Sequence, residues 1–213
     1  MAQRSCEFSI PTPGGSAIVR LASRSAGSRV DLARRSPFGR GFVTSAVATP
    51  PPTRRLAFRE MTLADIDDLA LLLGDPDVLW VYPHPYTRDE ARGWIEWNVG
   101  LYRELGFGLW YLTLRDTGEF VGECGLTPQQ VEGATEIEVG YHVRPKFWGL
   151  GFATEAARAC RSFAREVAGL HRLVALIDPR NVASQRVAAK IGLAFEREAS
   201  VPGKVLRVYS SDL

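Results

Sequence analysis

Apolar positions fall into regular periods from residue 54 onward. Leu56, Phe58 and Met61 predict a first strand. Thr62-Leu-Ala-Asp65, a hydroxyl residue followed three positions later by an acid, marks a helix start. Ile66, Leu69, Ala70 and Leu73 carry that helix to a stop at Gly74-Asp-Pro76. An aromatic, proline-bearing loop runs from Trp80 to Tyr86, and Thr87-Arg-Asp-Glu90 opens a second helix through Ala91, Trp94, Ile95, Leu101, Tyr102 and Leu105. Three strands follow, Gly108 to Arg115, Phe120 to Leu126 and Thr135 to Val143, the first two joined by a hairpin turn at Asp116-Thr-Gly-Glu119. The third alternates cleanly, with Ile137, Val139, Tyr141 and Val143 on one face and Glu136, Glu138, Gly140 and His142 on the other. A Gly-rich turn leads into a helix from Ala153 to Ala168. A strand from Arg172 to Ile177, a short helix ending at Gly192, and strands around Phe195 and from Val205 to Tyr209 complete the chain.

The order β-α-α-β-β-β-α-β-α-β-β predicts an α/β or α+β fold, with a mostly antiparallel mixed sheet covered by helices on both faces. The pattern mixes antiparallel hairpins with one β-α-β crossover. Residues 53–213 therefore read as one domain.

Residues 1–52 read differently. They carry seven arginines, no lysine and two acids, a charge of +5 against −3 for the remainder. Their apolar residues keep no sustained period, so most of the segment is expected to be disordered. Three readings stay open: an organelle transit peptide, a basic tail for anionic partners, or an extension from a misassigned start. A secretory apolar core is missing, which gives the cytoplasm as the expected address.

Composition narrows the function classes. The net charge of +2 gives no general affinity for nucleic acid, and no apolar run reaches the roughly 20 residues of a membrane helix. Cys6, Cys124 and Cys160 lack any CxxC spacing, and His84, His142 and His171 are scattered, so neither a disulfide scaffold nor a metal site is expected. Cys124 and Cys160 fall on apolar stripes and read as core.

The chemistry concentrates between the alternating strand and the next helix. In Trp148-Gly149-Leu150-Gly151-Phe152-Ala153-Thr154, small residues let backbone N–H groups approach a ligand, and the helix start favours phosphate. A P-loop would need Lys after the last glycine, and a dinucleotide fingerprint would need glycine at 154, where Thr stands. The same small residues also permit tight strand-to-helix packing.

The stretch Pro145-x-Phe147-Trp-Gly-Leu-Gly-Phe-Ala-Thr-Glu-Ala156 resembles the acyl-coenzyme A pyrophosphate loop of the GCN5-related N-acetyltransferases (GNAT), and within them the ribosomal-protein alanine N-acetyltransferases. Arg55-Leu-Ala-Phe-Arg59, Asp75-Pro-Asp-Val78, Gly118-Glu-Phe-Val-Gly122, Glu138-Val-Gly-Tyr141 and Asn181-Val-Ala-Ser184-Gln-Arg-Val187 follow the same family in order. The resemblance covers about residues 54–213 and implies a GNAT fold with a sheet of six or seven strands. It implies acetyl-CoA as co-substrate and a primary amine, on a protein N-terminus or a small compound, as acceptor. Trp148 and Leu150 depart from the commoner cationic residues of that loop.

By the same resemblance Glu138 is the general base, with Glu136 in reserve, and the backbone of Tyr141, His142 and Val143 positions the thioester. Ser184 meets the coenzyme sulfur and protonates the leaving thiolate, while Asn181 bonds the pantetheine arm. Both also suit a helix start. The loop Trp80 to Tyr86, with His84, is expected to wall the acceptor pocket. Direct transfer in a ternary complex is expected, by a monomer or homodimer. The alternative is a non-catalytic acyl-CoA sensor on the same fold.

Overall fold

The computed structural model describes residues 7–12, 15–20, 48–201 and 203–213. Two strands lie where the sequence predicted no element: β1 (Glu7–Thr12) pairs antiparallel with β2 (Gly15–Arg20). Phe8 and Ile10 do alternate with polar neighbours there, over a run too short to register as a sustained period. The rest of the expectation for residues 1–47 lies outside the described residues.

The main sheet has seven strands. They are β3 (Leu56–Arg59), β4 (Leu109–Leu114), β5 (Phe120–Val131), β6 (Ala134–Val143), β7 (Arg172–Ile177), β8 (Ala194–Val201) and β9 (Lys204–Asp212). Their spatial order is β3-β4-β5-β6-β7-β9-β8, antiparallel except for β6 and β7, the mixed, mostly antiparallel α/β sheet of seven strands that the family resemblance implies. Four helices accompany them: α1 (Ile66–Leu73), α2 (Arg88–Leu105), α3 (Phe152–Glu166) and α4 (Val182–Lys190). The Thr87/Glu90 capping box closes reciprocally at the start of α2, and Gly106 ends it in the left-handed conformation that glycine adopts without a Cβ penalty.

β5 runs five residues beyond its predicted end and contains Pro128. Pairing with β4 stops at Gly125, so Pro128 sits where β5 has only β6 as a partner, and its missing N–H costs the ladder nothing.

Neighbouring residues of β5 show how the layers are arranged. The Glu123 carboxylate meets Trp94 of α2, whereas the Cys124 thiol meets Cys160 of α3, with a sulfur–sulfur distance of 3.5 Å. Successive strand residues face opposite ways. Helices α2 and α3 therefore cover opposite faces of the sheet. Trp110 and Phe163 pack edge to face in the α3 layer, ring centroids 4.9 Å apart. Both described cysteines are free and buried, as their apolar stripes predict.

The parallel pair positions the site. β6 and β7 share one register contact, Glu138 opposite Val174. Beyond that point β7 stays paired to β9, and β6 stays paired to β5 as far as Val143. The sheet splits between them.

Candidate active site

The split between β6 and β7 opens into a cleft of about 480 Å³. Of the residues singled out in the sequence, Glu138, Tyr141, His142, Val143, Trp148, Gly149, Gly151, Phe152, Ala153, Thr154, Asn181 and Ser184 line it together. Leu150 does not; its side chain is exposed and its carbonyl accepts Arg55 Nη1 at 2.9 Å.

Local backbone chemistry explains the cleft's first end. Gly149 and Gly151 have φ of 75° and 82°, which side chains rarely tolerate. Gly151 caps α3 without any side chain, and the first intrahelical bond is Glu155 N–H to the Gly151 carbonyl. The N–H groups of Phe152, Ala153 and Thr154 thus face outward without helical acceptors, at the positive end of the helix dipole. Such an end is built to take an anion. Glu155, the one acid in that first turn, does not neutralise it. Thr53 Oγ1, Arg55 N–H and Arg55 Nε all donate to its carboxylate at 2.6–2.9 Å, which holds its pKa below the usual carboxylate range despite the cost of burial. A second groove of about 530 Å³ adjoins this end, where Arg55, Arg158 and Lys190 supply cations. Trp148, half exposed, is pinned across the loop by its indole N–H donating to the Val143 carbonyl at 2.6 Å.

Alternation along β6 sorts its backbone. Arg144 N–H donates to Val121 of β5, so the N–H groups of Val143 and Tyr141 turn the other way, into the split, while that of His142 turns to β5. The side chains sort in the opposite sense. Tyr141 faces the α3 and α4 layer and donates its hydroxyl to the Ser184 carbonyl at 3.2 Å. His142 and Glu138 face the α2 layer, where Trp80, Val81 and Tyr82 wall the cleft. His84 of that loop points away, its Nδ1 on the Pro85 carbonyl and its Nε2 3.7 Å from Glu90.

Glu138 closes the bottom of the split. Where the ladder would continue, Leu176 N–H donates to Glu138 Oε1 at 3.1 Å instead of to a backbone carbonyl. Burial raises the carboxyl to about 7, against the lowering effects of that N–H, of His142 and of Lys204. Glu136, one turn of the pleat away, is tied to Arg172 at 3.2 Å. Asn181 caps α4 by accepting Ser184 N–H through Oδ1 at 3.0 Å, so its amide nitrogen stays available to the cleft. Asp178, which imitates a ribose-binding acid in the sequence, is occupied by Arg180 at 2.9 Å.

One group behind the cleft was missed in the sequence. Tyr82 lines the wall, as expected of the Trp80 to Tyr86 loop, and Glu123, fully buried, lies behind it in contact with His142 and Trp94. A lone acid inside the apolar run Phe120 to Leu126, one strand before an alternating histidine, was the available signal.

Three comparisons bear on the arrangement. Residues 55–194 match the family model described as an acetyltransferase (GNAT) domain. The uncharacterized protein YkkB of Bacillus subtilis is 39% identical over 158 residues, 74% of this chain and 92% of that protein. The uncharacterized N-acetyltransferase p20 of Bacillus licheniformis is 28% identical over 169 residues, 76% of this chain and 93% of that protein. Among solved structures, an acetyltransferase from Agrobacterium tumefaciens superposes with a TM-score of 0.68 at 27% identity, covering 82% of this chain and 100% of its own.

Proposed function

The chain belongs to the acetyltransferase (GNAT) domain family and is an acetyl-CoA-dependent acyltransferase, and from that premise we propose that it moves an acetyl group directly onto a primary amine, with both substrates bound at once. One observation carries the reading. The split sheet offers an anion-binding helix end on its α3 and α4 side and a half-buried carboxyl on its α2 side, with backbone N–H groups between.

The residues fit the coenzyme. The uncapped N–H groups of Phe152, Ala153 and Thr154 would take the pyrophosphate, with Arg158 and Lys190 beside them for further phosphate charge. Asn181 Nδ2 would donate to the pantetheine arm. The inward N–H groups of Tyr141 and Val143 would orient the thioester carbonyl and favour negative charge on its oxygen. When bound, acetyl-CoA supplies the activated acetyl carbon and a thiolate leaving group. Ser184, half buried on the α4 side of the split, would give that sulfur a proton. Glu138, on the opposite side, would take a proton from the amine, directly or through water. Acid and base therefore stand on the two faces of one sheet, each next to the group it serves.

The acceptor enters on the α2 side, past Trp80 and Tyr82. Its class is a primary amine, on a protein N-terminus or a small amino compound. The −3 charge of residues 53–213 favours a cationic one. Calorimetric titration of the full chain with acetyl-CoA and, separately, with NAD tests the cofactor. A thiol-release screen over 2-phenylethylamine, spermidine, kanamycin and an alanine-initiated peptide then tests the chemistry. Acetyl-CoA binding with turnover of at least one amine is expected. NAD binding in its place refutes the reading, and acetyl-CoA binding without any turnover yields the sensor instead.

A further inference from the structure

Glu123 is a carboxylate at 0% exposure, and among the described residues no lysine or arginine forms an ion pair with it. Burying such a group is costly unless its oxygens are bonded. Here both are: Trp94 Nε1–H points at the two oxygens, 3.0 Å from each, and His142 Nδ1 lies 2.9 Å from Oε1. A carboxylate that accepts from Nδ1 fixes the histidine tautomer and leaves Nε2 as the basic atom. That Nε2 does not end in the core. It lies 3.2 Å from the hydroxyl of Tyr82, which lines the acceptor side of the cleft together with His142 itself. Burial, with Glu138, Tyr86 and Glu123 nearby, pushes the Tyr82 phenol well above its ordinary range, so its O–H stays protonated and donates to His142.

We propose that His142, oriented by Glu123 and reached through Tyr82, is a second proton acceptor for the amine, alongside Glu138. The proposal rests on the acetyltransferase reading and follows from its proton count. An alkylammonium must shed two protons, one to expose its lone pair and one as the C–N bond forms. The C–S bond breaks, the thiolate takes one proton from Ser184, and water reprotonates the serine; the two protons held by the bases return to solvent, so one is released net. Glu138 holds only one at a time. In the first step an ammonium N–H passes its proton to Tyr82 Oη while the Tyr82 O–H proton moves to His142 Nε2, leaving imidazolium opposite Glu123. In the second, Glu138 takes the proton released as the amide forms. This is a carboxylate–imidazole–hydroxyl line, with the hydroxyl serving as conduit and not as nucleophile.

The groups around His142 suit a transient positive charge. Glu123 reaches it from β5 and Glu138 shares its strand. Trp94 of α2 and Tyr82 face its ring at centroid distances of 6.4 and 5.7 Å. Lys204, at the start of β9, lies over the ring of Tyr82, 5.4 Å from its centroid. Glu123 is a positioning residue; it does not line the cleft.

Two measurements on the full chain test this. In the first, ¹⁵N-imidazole NMR should show His142 as the neutral Nδ1–H tautomer, and Glu123→Gln should abolish that preference. In the second, steady-state rates are compared for 2-phenylethylamine, which arrives protonated, and phenylhydrazine, which arrives neutral and needs only the second proton removed. His142→Gln and Tyr82→Phe should slow the alkylamine about 100-fold and the hydrazine by less than about threefold, with acetyl-CoA affinity unchanged. Glu138→Gln should slow both. Should His142→Gln fail to fold, Tyr82→Phe, which keeps the ring, carries the comparison. Equal losses on the two amines, no loss, or an Nε2–H tautomer overturn the relay alone. A wild-type chain that binds acetyl-CoA but acetylates neither amine, nor any other in the panel, overturns the transferase reading and the relay with it.

Discussion

Replacing Glu138 by glutamine should make the protein more stable and less active, with the stability gain depending on pH in a defined direction. The carboxyl is pushed from 4.5 up to about 7 by burial at the foot of the split, which the Leu176 N–H, His142 and Lys204 only partly offset. In the unfolded chain the same group titrates near about 4.3. Between those values the native state holds a proton that the unfolded state has lost, so stability falls as pH rises across that window and is level outside it. At about 1.36 kcal/mol per unit, the wild-type chain forgoes about 3 kcal/mol by the time Glu138 is ionised. Glutamine keeps an oxygen for Leu176 N–H and never ionises. Urea denaturation of both chains should therefore nearly coincide at about pH 4.5 and separate by about 3 kcal/mol in favour of the variant at about pH 8. Activity should move the other way. In the wild type, kcat/KM should fall about tenfold per pH unit below about 7, as the base becomes protonated, and the variant should lose about 10²-fold or more. A variant no more stable than wild type at the higher pH, or a gain that does not change with pH, would refute the argument that a half-buried, ionisable carboxyl sits at the split.

Further tests bear on the coenzyme end and on the core. Gly151→Val places a branched side chain at φ 82° on the α3 cap, and acetyl-CoA affinity measured by calorimetry should drop by about tenfold or more. Lys190→Ala and Arg158→Ala should each weaken acetyl-CoA binding at low salt and lose most of that effect at high salt, since both groups act as charges at an open groove. Asn98, fully buried, accepts Leu109 N–H at 2.8 Å and donates to the Trp94 carbonyl at 3.0 Å. Asn98→Ala leaves the buried Leu109 N–H without its acceptor and should cost about 2 kcal/mol, lowering the thermal midpoint by about 4–8 °C in a calorimetric scan.

The parts of this molecule that were legible in its sequence are those whose determinants are local. Capping boxes at Thr62 and Thr87, the hairpin turn before Phe120 and the alternation of β6 each specify their element within a few residues, and each appears where it was predicted. The conformation of the glycine loop before α3 was legible for the same reason, because Gly149 and Gly151 are needed by the backbone itself. What was hidden depends on partners distant in sequence. β9 sits between β7 and β8, an order that no turn in the chain dictates. Pro128 fits a strand only because pairing with β4 ends at Gly125 and leaves no partner on that side for the N–H it lacks. Glu123 was concealed by its own setting: a strand covered by helices on both faces shows no polar alternation, so an acid there has no period to break. Its meaning comes from Trp94, 29 residues before it, and His142, 19 after it. That contrast follows the division of labour in the cleft. Under the proposed function the coenzyme would be held by backbone that one loop can encode, whereas the acceptor side would be assembled from α2, β5, β6 and the Trp80 to Tyr86 loop. Substrate choice should therefore change through substitutions at Tyr82, Trp94, Glu123 and His142 that leave the glycine loop, and with it acetyl-CoA affinity, untouched.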